Sequence, residues 1–213
     1  MDNKKNTILL TVIAVATLLV AVVGATFAYF TAQGGNTASS TVTVTTGTAA
    51  SSSFGTWKAI NIYADATTFG QGKGDATDSS TGTVSWTAPG AAGNKTPSEA
   101  DRSFCYNATL EITTNTFVVS STNTTSAAEL VFTAQKGSAK VIDNMNITTT
   151  KTNVQIPTTA SGTDYKHKLV ADAGKTVSDA WTLTVTLKNL AVDQNDNTGK
   201  AFSGAVKFTK VDC

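Results

Sequence analysis

The stretch Trp181 to Lys188, WTLTVTLK, alternates without a break. Trp181, Leu183, Val185 and Leu187 hold one parity, and Thr182, Thr184, Thr186 and Lys188 hold the other. A period of two sends successive side chains to opposite faces of an extended chain, so this segment has one face for a core and one for water. The composition extends the same constraint. About a fifth of the chain is threonine, well above average usage. Threonine is β-branched and favours strands over helices. TWKAINIYA, TVSWTA, SFCYNATLEITT, TFVVSS, ELVFTAQ, AKVID, MNITTT and NVQIP read as further short strands between Gly, Asn, Asp or Ser punctuation. Thr67 to Gly82 reads as a long surface loop, and Asp193 to Gly199 as a turn before a returning strand Gly204 to Phe208. Thr96-Pro97-Ser98-Glu99 has the pattern of a helix start and predicts a turn or two of helix. Many short strands with no long helix between them argue an antiparallel sandwich rather than a parallel α/β sheet.

The N-terminus has the three-part layout of a secretory leader: Lys4 and Lys5, an apolar run from Ile8 to Phe30, and small residues at its end. The run exceeds the usual apolar region of about 7–15 residues. It approaches the ~20 residues that span a bilayer. Export is expected, with cleavage within a residue or two of Ala28 so that the extracellular form begins near Tyr29; if the run is kept, it is an anchor. Residues 1–28 are thus a signal peptide or hydrophobic anchor, 29–55 an N-terminal strand with flexible spacer, and 56–213 a β-sandwich domain. Thr41 to Thr45 alternates around Val42 and Val44, between the polar stretches Gln33 to Ala38 and Thr48 to Gly55. Two valines give that strand little burial to hold it, so backbone hydrogen bonds from its own sheet or from another molecule's can serve it equally.

ATFAYFTAQGGNTASSTVTVTTG resembles the leader end and first strand of the TasA/camelysin family of exported Gram-positive fibre proteins. WTLTVTLKN followed by DQNDNTGKAFSGAVKFT is similar to that family's final hairpin. Together the two matches cover about a third of the chain. The first strand departs from the family's usual TFTAGTLDL-like form by substituting Thr and Ser. The resemblance implies secretion through a dedicated signal peptidase and polymerisation through the N-terminal segment. The expected fold is all-β, an antiparallel jelly-roll-like β-sandwich with an N-terminal hydrophobic leader helix.

Charge narrows the partners. Removing Lys4, Lys5 and Asp2 from 16 Lys+Arg and 15 Asp+Glu leaves 14 of each, a neutral chain with one arginine, Arg102. Such a surface has no means to hold phosphates, which argues against nucleic acid, and it offers no basic stripe to lipid. Membrane contact is expected only through the leader. The two cysteines, Cys105 and Cys213, suit a disulfide in an exported chain, with both sulfurs on the outer side of their strands.

Chemistry finds few residues to work with. His167 is the only histidine, so paired-histidine zinc motifs are impossible. Some camelysin relatives are described as metalloproteases, and this chain lacks the ligands for that. No Gly-x-Ser-x-Gly elbow, P-loop or dinucleotide fingerprint is present. Lysine-flanked His167 reads as a solvated strand residue. Asp193, Asn195 and Asn197 place oxygens at alternate positions, a weak calcium pattern whose glycine falls one place late for an EF-hand. Its plain alternative is a polar turn, and Asp75 and Asp78 carry the same ambiguity. The sequons at Asn94, Asn107, Asn123 and Asn146 are as many as chance gives in so Thr-rich a chain. Trp57, Trp86 and Trp181 are candidates for a sugar-stacking platform, although Trp181 has core parity.

These readings converge on a secreted structural subunit of a cell-surface or biofilm-matrix fibre, not an enzyme and with no cofactor, assembling as a homopolymer by exchange of the Val42/Val44 strand. Other matrix or cell-surface proteins are further partners, since the tail KFTKVDC carries no sortase-type signal. The alternatives are a surface carbohydrate-binding module and a membrane-anchored pilin-like protein that retains its leader.

Overall fold

The computed structural model describes residues 49–65, 69, 73–91, 96–190 and 192–213. The leader, the Ala28/Tyr29 junction, the Val42/Val44 strand and the Asn94 sequon lie outside them. The described chain is all-β, with ten strands in two antiparallel sheets. The first sheet runs β1 (Ser51–Ser53), β3 (Ala76–Thr87), β9 (Thr176–Leu187), β5 (Leu130–Lys136), β6 (Ala139–Asn146). The second runs β2 (Ile60–Tyr63), β10 (Ala201–Val211), β4 (Ser103–Asn115). On the far side of β4 lie β7 (Asn153–Ile156), opposite Ala108 to Glu111, and β8 (His167–Val170), opposite Ser103 to Tyr106.

The alternation read at Trp181 to Lys188 sets the core. Trp181, Leu183, Val185 and Leu187 are buried, and the threonines between them are half-exposed. Val84, Trp86, Phe132 and Ala134 extend that inner face across β3 and β5, against Phe104, Tyr106, Leu110, Phe202 and Phe208 of the second sheet. Each of the larger side chains gains about 1.5–3 kcal/mol from full burial.

Several local expectations change. The loop expected over Thr67 to Gly82 becomes strand from Ala76, because β3 pairs with β9 over all twelve residues without a shift. A full ladder outweighs the weak strand preference of its Gly, Asp and Ser. Asp75 and Asp78, read as loop residues, accept the backbone N–H groups of Asn189 and Asn61 and pair with Lys188 and Lys58. TFVVSS is not a strand: the N–H groups of Thr116, Val118 and Ser120 go to the Ala201 carbonyl, Asn197 and Glu129. AKVID and the first residues of MNITTT join as β6, through Asn144 at φ 49°. The helix expected from Thr96 is one turn, in which the Ser98 N–H and hydroxyl both donate to Asp101.

Two corrections bear on assembly. The segment expected to be the final hairpin spans both sheets: β9 belongs to the first and β10 to the second, so their apolar faces meet across the core. The spacer expected over Thr48 to Gly55 contains β1, which pairs with β3 from Ser51↔Thr87 to Ser53↔Ser85. Phe54 and Trp57 follow and anchor that segment. Phe54 stacks on Phe208 with centroids 6.1 Å apart, and Trp57 lies 4.6 Å from the same ring.

Gly82 makes room for the Trp57 indole, since a Cβ there would come within 2.8 Å of it. Gly82→Val is expected to force the indole off its seat and to cost about 1–3 kcal/mol, the usual range for overpacking. Urea denaturation of the two proteins measures the difference.

Candidate functional site

Two buried polar clusters carry the residues with chemical potential. The first gathers around His167, which β8 delivers to the core because His167 and Leu169 share a parity, with Lys168 on the other side. The solvated histidine expected from its lysine neighbours is instead fully buried. Its ring stacks on Tyr106 at 5.1 Å and meets Trp181 edge-on at 5.0 Å. Nε2 lies 3.0 Å from the Ile156 carbonyl, which can only accept, so the proton sits on Nε2 and Nδ1 is left bare and without a partner. Burial holds the imidazole below its ordinary pKa, and Lys136 adds to this against the opposing Ile156 carbonyl, Asp179 and Asp164.

Tyr106 links that ring to a charge pair at the rim. Its hydroxyl donates to Asp179 at 2.5 Å and accepts from Trp181 Nε1 at 3.0 Å. Lys136 Nζ is 3.4 Å from the same Asp179 oxygen and 5.9 Å from the Trp181 ring centroid. Burial and the Asp179 carboxylate push the phenol far above its ordinary pKa, so it remains a donor.

The second cluster is built on Glu129, just before β5 and only 2% exposed. Its carboxylate accepts from the Ser120 N–H at 2.7 Å, the Ser120 hydroxyl at 2.8 Å, Asn123 at 3.0 Å, and Gln194 and Asn197 at 2.8 Å each. None of these donors is charged. Burial raises the carboxyl pKa, but the bonds from Gln194, Ser120 and Asn123 outweigh it and hold the group below its ordinary value. The cluster ties the β4–β5 connection to the β9–β10 connection at one end of the sandwich.

It also takes up one of the calcium candidates. Asn197 is buried, with its amide oxygen on the Val118 N–H and its NH₂ on the Val118 carbonyl and Glu129. Asp193 accepts the Asn195 N–H within its own turn. The oxygens of Asp193 and Asn197 therefore bond protein amides, and a 3-10 turn, Asn195–Asn197, shapes the segment. Asn123 of the third sequon is buried in this network too, whereas Asn146 is exposed.

The tryptophans do not form a platform. Trp181 and Trp86 are buried, Trp86 donating to the Arg102 carbonyl at 2.8 Å, and Trp57 is half-buried against the core. Cys105 and Cys213 are bonded, with Cα atoms 5.2 Å apart. Cys105 has the outward parity expected of it but is buried there, beside exposed Cys213. This bond closes the C-terminus onto β4, a closure over 108 residues. By the chain-entropy account such a loop contributes up to ~4–5 kcal/mol. Sequence reasoning missed Glu129 altogether, because its partners come from positions 6 to 68 residues away. For His167 the parity with Leu169 was the available signal.

No protein-family model matches the chain, and no curated protein or solved structure matches it significantly.

Because the folded state lowers the His167 pKa, the neutral ring contributes its full stability above the unfolded value of about 6.5. That contribution is lost as pH falls below about 6.5 towards the folded value. Urea midpoints are therefore expected to fall between pH 7 and pH 5 in the wild type, and to fall less in His167→Phe. At Glu129 an amide in place of the carboxylate turns an NH₂ towards donors. Glu129→Gln is expected to cost roughly 1–3 kcal/mol at pH 7, with the difference from wild type shrinking as pH falls below the ordinary glutamate value of about 4.3 towards the lower folded one. Thermal melts across that range check it.

Proposed function

We propose that this chain is a secreted structural subunit of a cell-surface or biofilm-matrix fibre, built on a jelly-roll-like β-sandwich and assembled by exchange of its N-terminal strand. The observation that carries the reading is where the N-terminal segment enters. Its first described strand, β1, has three residues and is the outermost strand of the first sheet among the described residues. The alternating Val42/Val44 segment comes just before it in sequence. A strand at an edge can add to a neighbour's sheet, with backbone hydrogen bonds supplying affinity and alternate side chains fixing register. Repetition head to tail gives a filament. β1 pairs with β3, and Phe54 and Trp57 pack on Phe208, so the exchanging segment proposed here ends before Ser51 rather than at Gly55.

The leader-like N-terminus, the resemblance to the TasA/camelysin family and the disulfide support an exported protein, since disulfides persist in oxidising surroundings. Burial of Trp86 removes support from the carbohydrate-binding alternative. The anchored alternative keeps support from the length of the Ile8 to Phe30 run.

Protein recovered from the cell surface is expected to have the intact mass of a chain starting near Tyr29; a mass that includes Lys4 and Lys5 means the anchored form. Deleting residues 29–47 is expected to leave a folded protein without end-to-end filaments. Val42→Asp with Val44→Asp acts similarly, because a shared core cannot accept an unpaired carboxylate. Filaments persisting by negative stain after the deletion overturn strand exchange.

A further inference from the structure

The outer face of the first sheet differs from every other surface of the described residues. Each outward position from Thr77 to Thr87 on β3 and from Thr176 to Thr186 on β9 is serine or threonine, except Ala180. The two strands stay in register along the whole length, so the hydroxyls stand in cross-strand rows. No charged residue interrupts them, in a chain that is 15% charged. The outer face of the second sheet is unlike this, with the Lys207–Glu111 ion pair and the disulfide.

We propose that this face is a contact between two copies of the chain, stacked face to face. Three physical features favour it. Hydroxyls in the rows already bond within the sheet: Thr77 with Thr186 at 3.1 Å, Thr87 with Thr176 at 2.8 Å, and Thr133 of β5 accepting from the Asn144 N–H at 3.2 Å. A bonded hydroxyl loses less on leaving water, and its threonine offers a methyl group to the partner. Threonine is stiff at χ1, so packing it costs little side-chain entropy.

The size also suffices. Strands of 12, 12, 7 and 3 residues carry the face across β3, β9, β5 and β1, with Val131 of β5, on the same side as Thr186, already buried and the areas that follow upper bounds. At ~3.3 Å per residue and ~4.8 Å between strands, it covers about 540 Å² per copy, or about 1,100 Å² for the pair. A specific interface needs about 1,000 Å². A face paired with itself closes by two-fold symmetry, and the rows from Thr77 to Thr87 and Thr176 to Thr186 bring no like charges together. The outward positions of β3 and β9 carry no aromatic ring for stacking on a sugar and no Lys or Arg for phosphate, which leaves a second copy as the fitting partner.

The test uses the mature secreted protein. Sedimentation velocity over a concentration series is expected to show the protein lacking residues 29–47, the form without end-to-end filaments, associating reversibly, and the Thr184 variants are read in that background beside the full mature chain. Thr184→Lys and Thr184→Glu, at the middle of the face, are each expected to shift the protein to half the paired mass, with unchanged circular dichroism and melting. Mixing the two variants is expected to restore pairing, which no folding defect would do. Protein lacking residues 29–47 but keeping Thr184 that stays unpaired up to its solubility limit overturns the proposal, as does equal pairing of either single variant or a mixture that stays apart. Binding of wild type to an insoluble neutral polysaccharide without self-association also overturns it. The face is built from strands that follow residue 50, so the 29–47 deletion is expected to abolish filaments and leave face-paired dimers. Failure of one reading is thus visible apart from failure of the other.

Discussion

The shift-free pairing of β3 with β9 is the constraint on which the rest of the molecule depends. A slip of one residue between these strands would exchange their faces, bringing hydroxyls into the core and Trp181, Leu183 and Val185 into water. At ~1.5–3 kcal/mol for each fully buried side chain, such a slip exceeds the whole stability of an ordinary domain once several positions are counted. Burial therefore fixes the register, and the register fixes the hydroxyl rows outside. The outer face is a by-product of how the inner one is packed, which is why it is so regular.

On that frame the buried polar groups act as fasteners of the connections. Glu129 has five uncharged donors and no countercharge, an arrangement that tolerates burial only because every donor arrives together. It binds two irregular connections whose amides have no ladder to join. His167 is different, since its ring is held mainly by aromatic contacts and one hydrogen bond. One nitrogen is left bare, so this group gives the core a sensitivity to acid. Tyr106 stands between the two kinds of environment, with its ring in the core and its hydroxyl on the Asp179–Lys136 pair at the rim.

The ends of the domain are secured by different means. The C-terminus is covalently closed onto β4 by Cys213, while the N-terminal side is held by Phe54 and Trp57 against Phe208.

The sequence by itself determined the fold class, the inner face of β9 and the pairing of its two cysteines. Period-two alternation is a local property that a strand carries wherever it is placed, and two cysteines in a chain allow only one intrachain pair. Tertiary structure decided the rest. It made strand of Ala76 to Gly82 through the ladder to β9, and irregular chain of Thr116 to Ser121 through Glu129 and Asn197. It divided β9 and β10 between two sheets, and it buried His167 against Tyr106 and Trp181. In each case the deciding partner lies far along the chain. Hydrogen bonds and ring contacts between distant residues leave no period in the sequence from which they can be read.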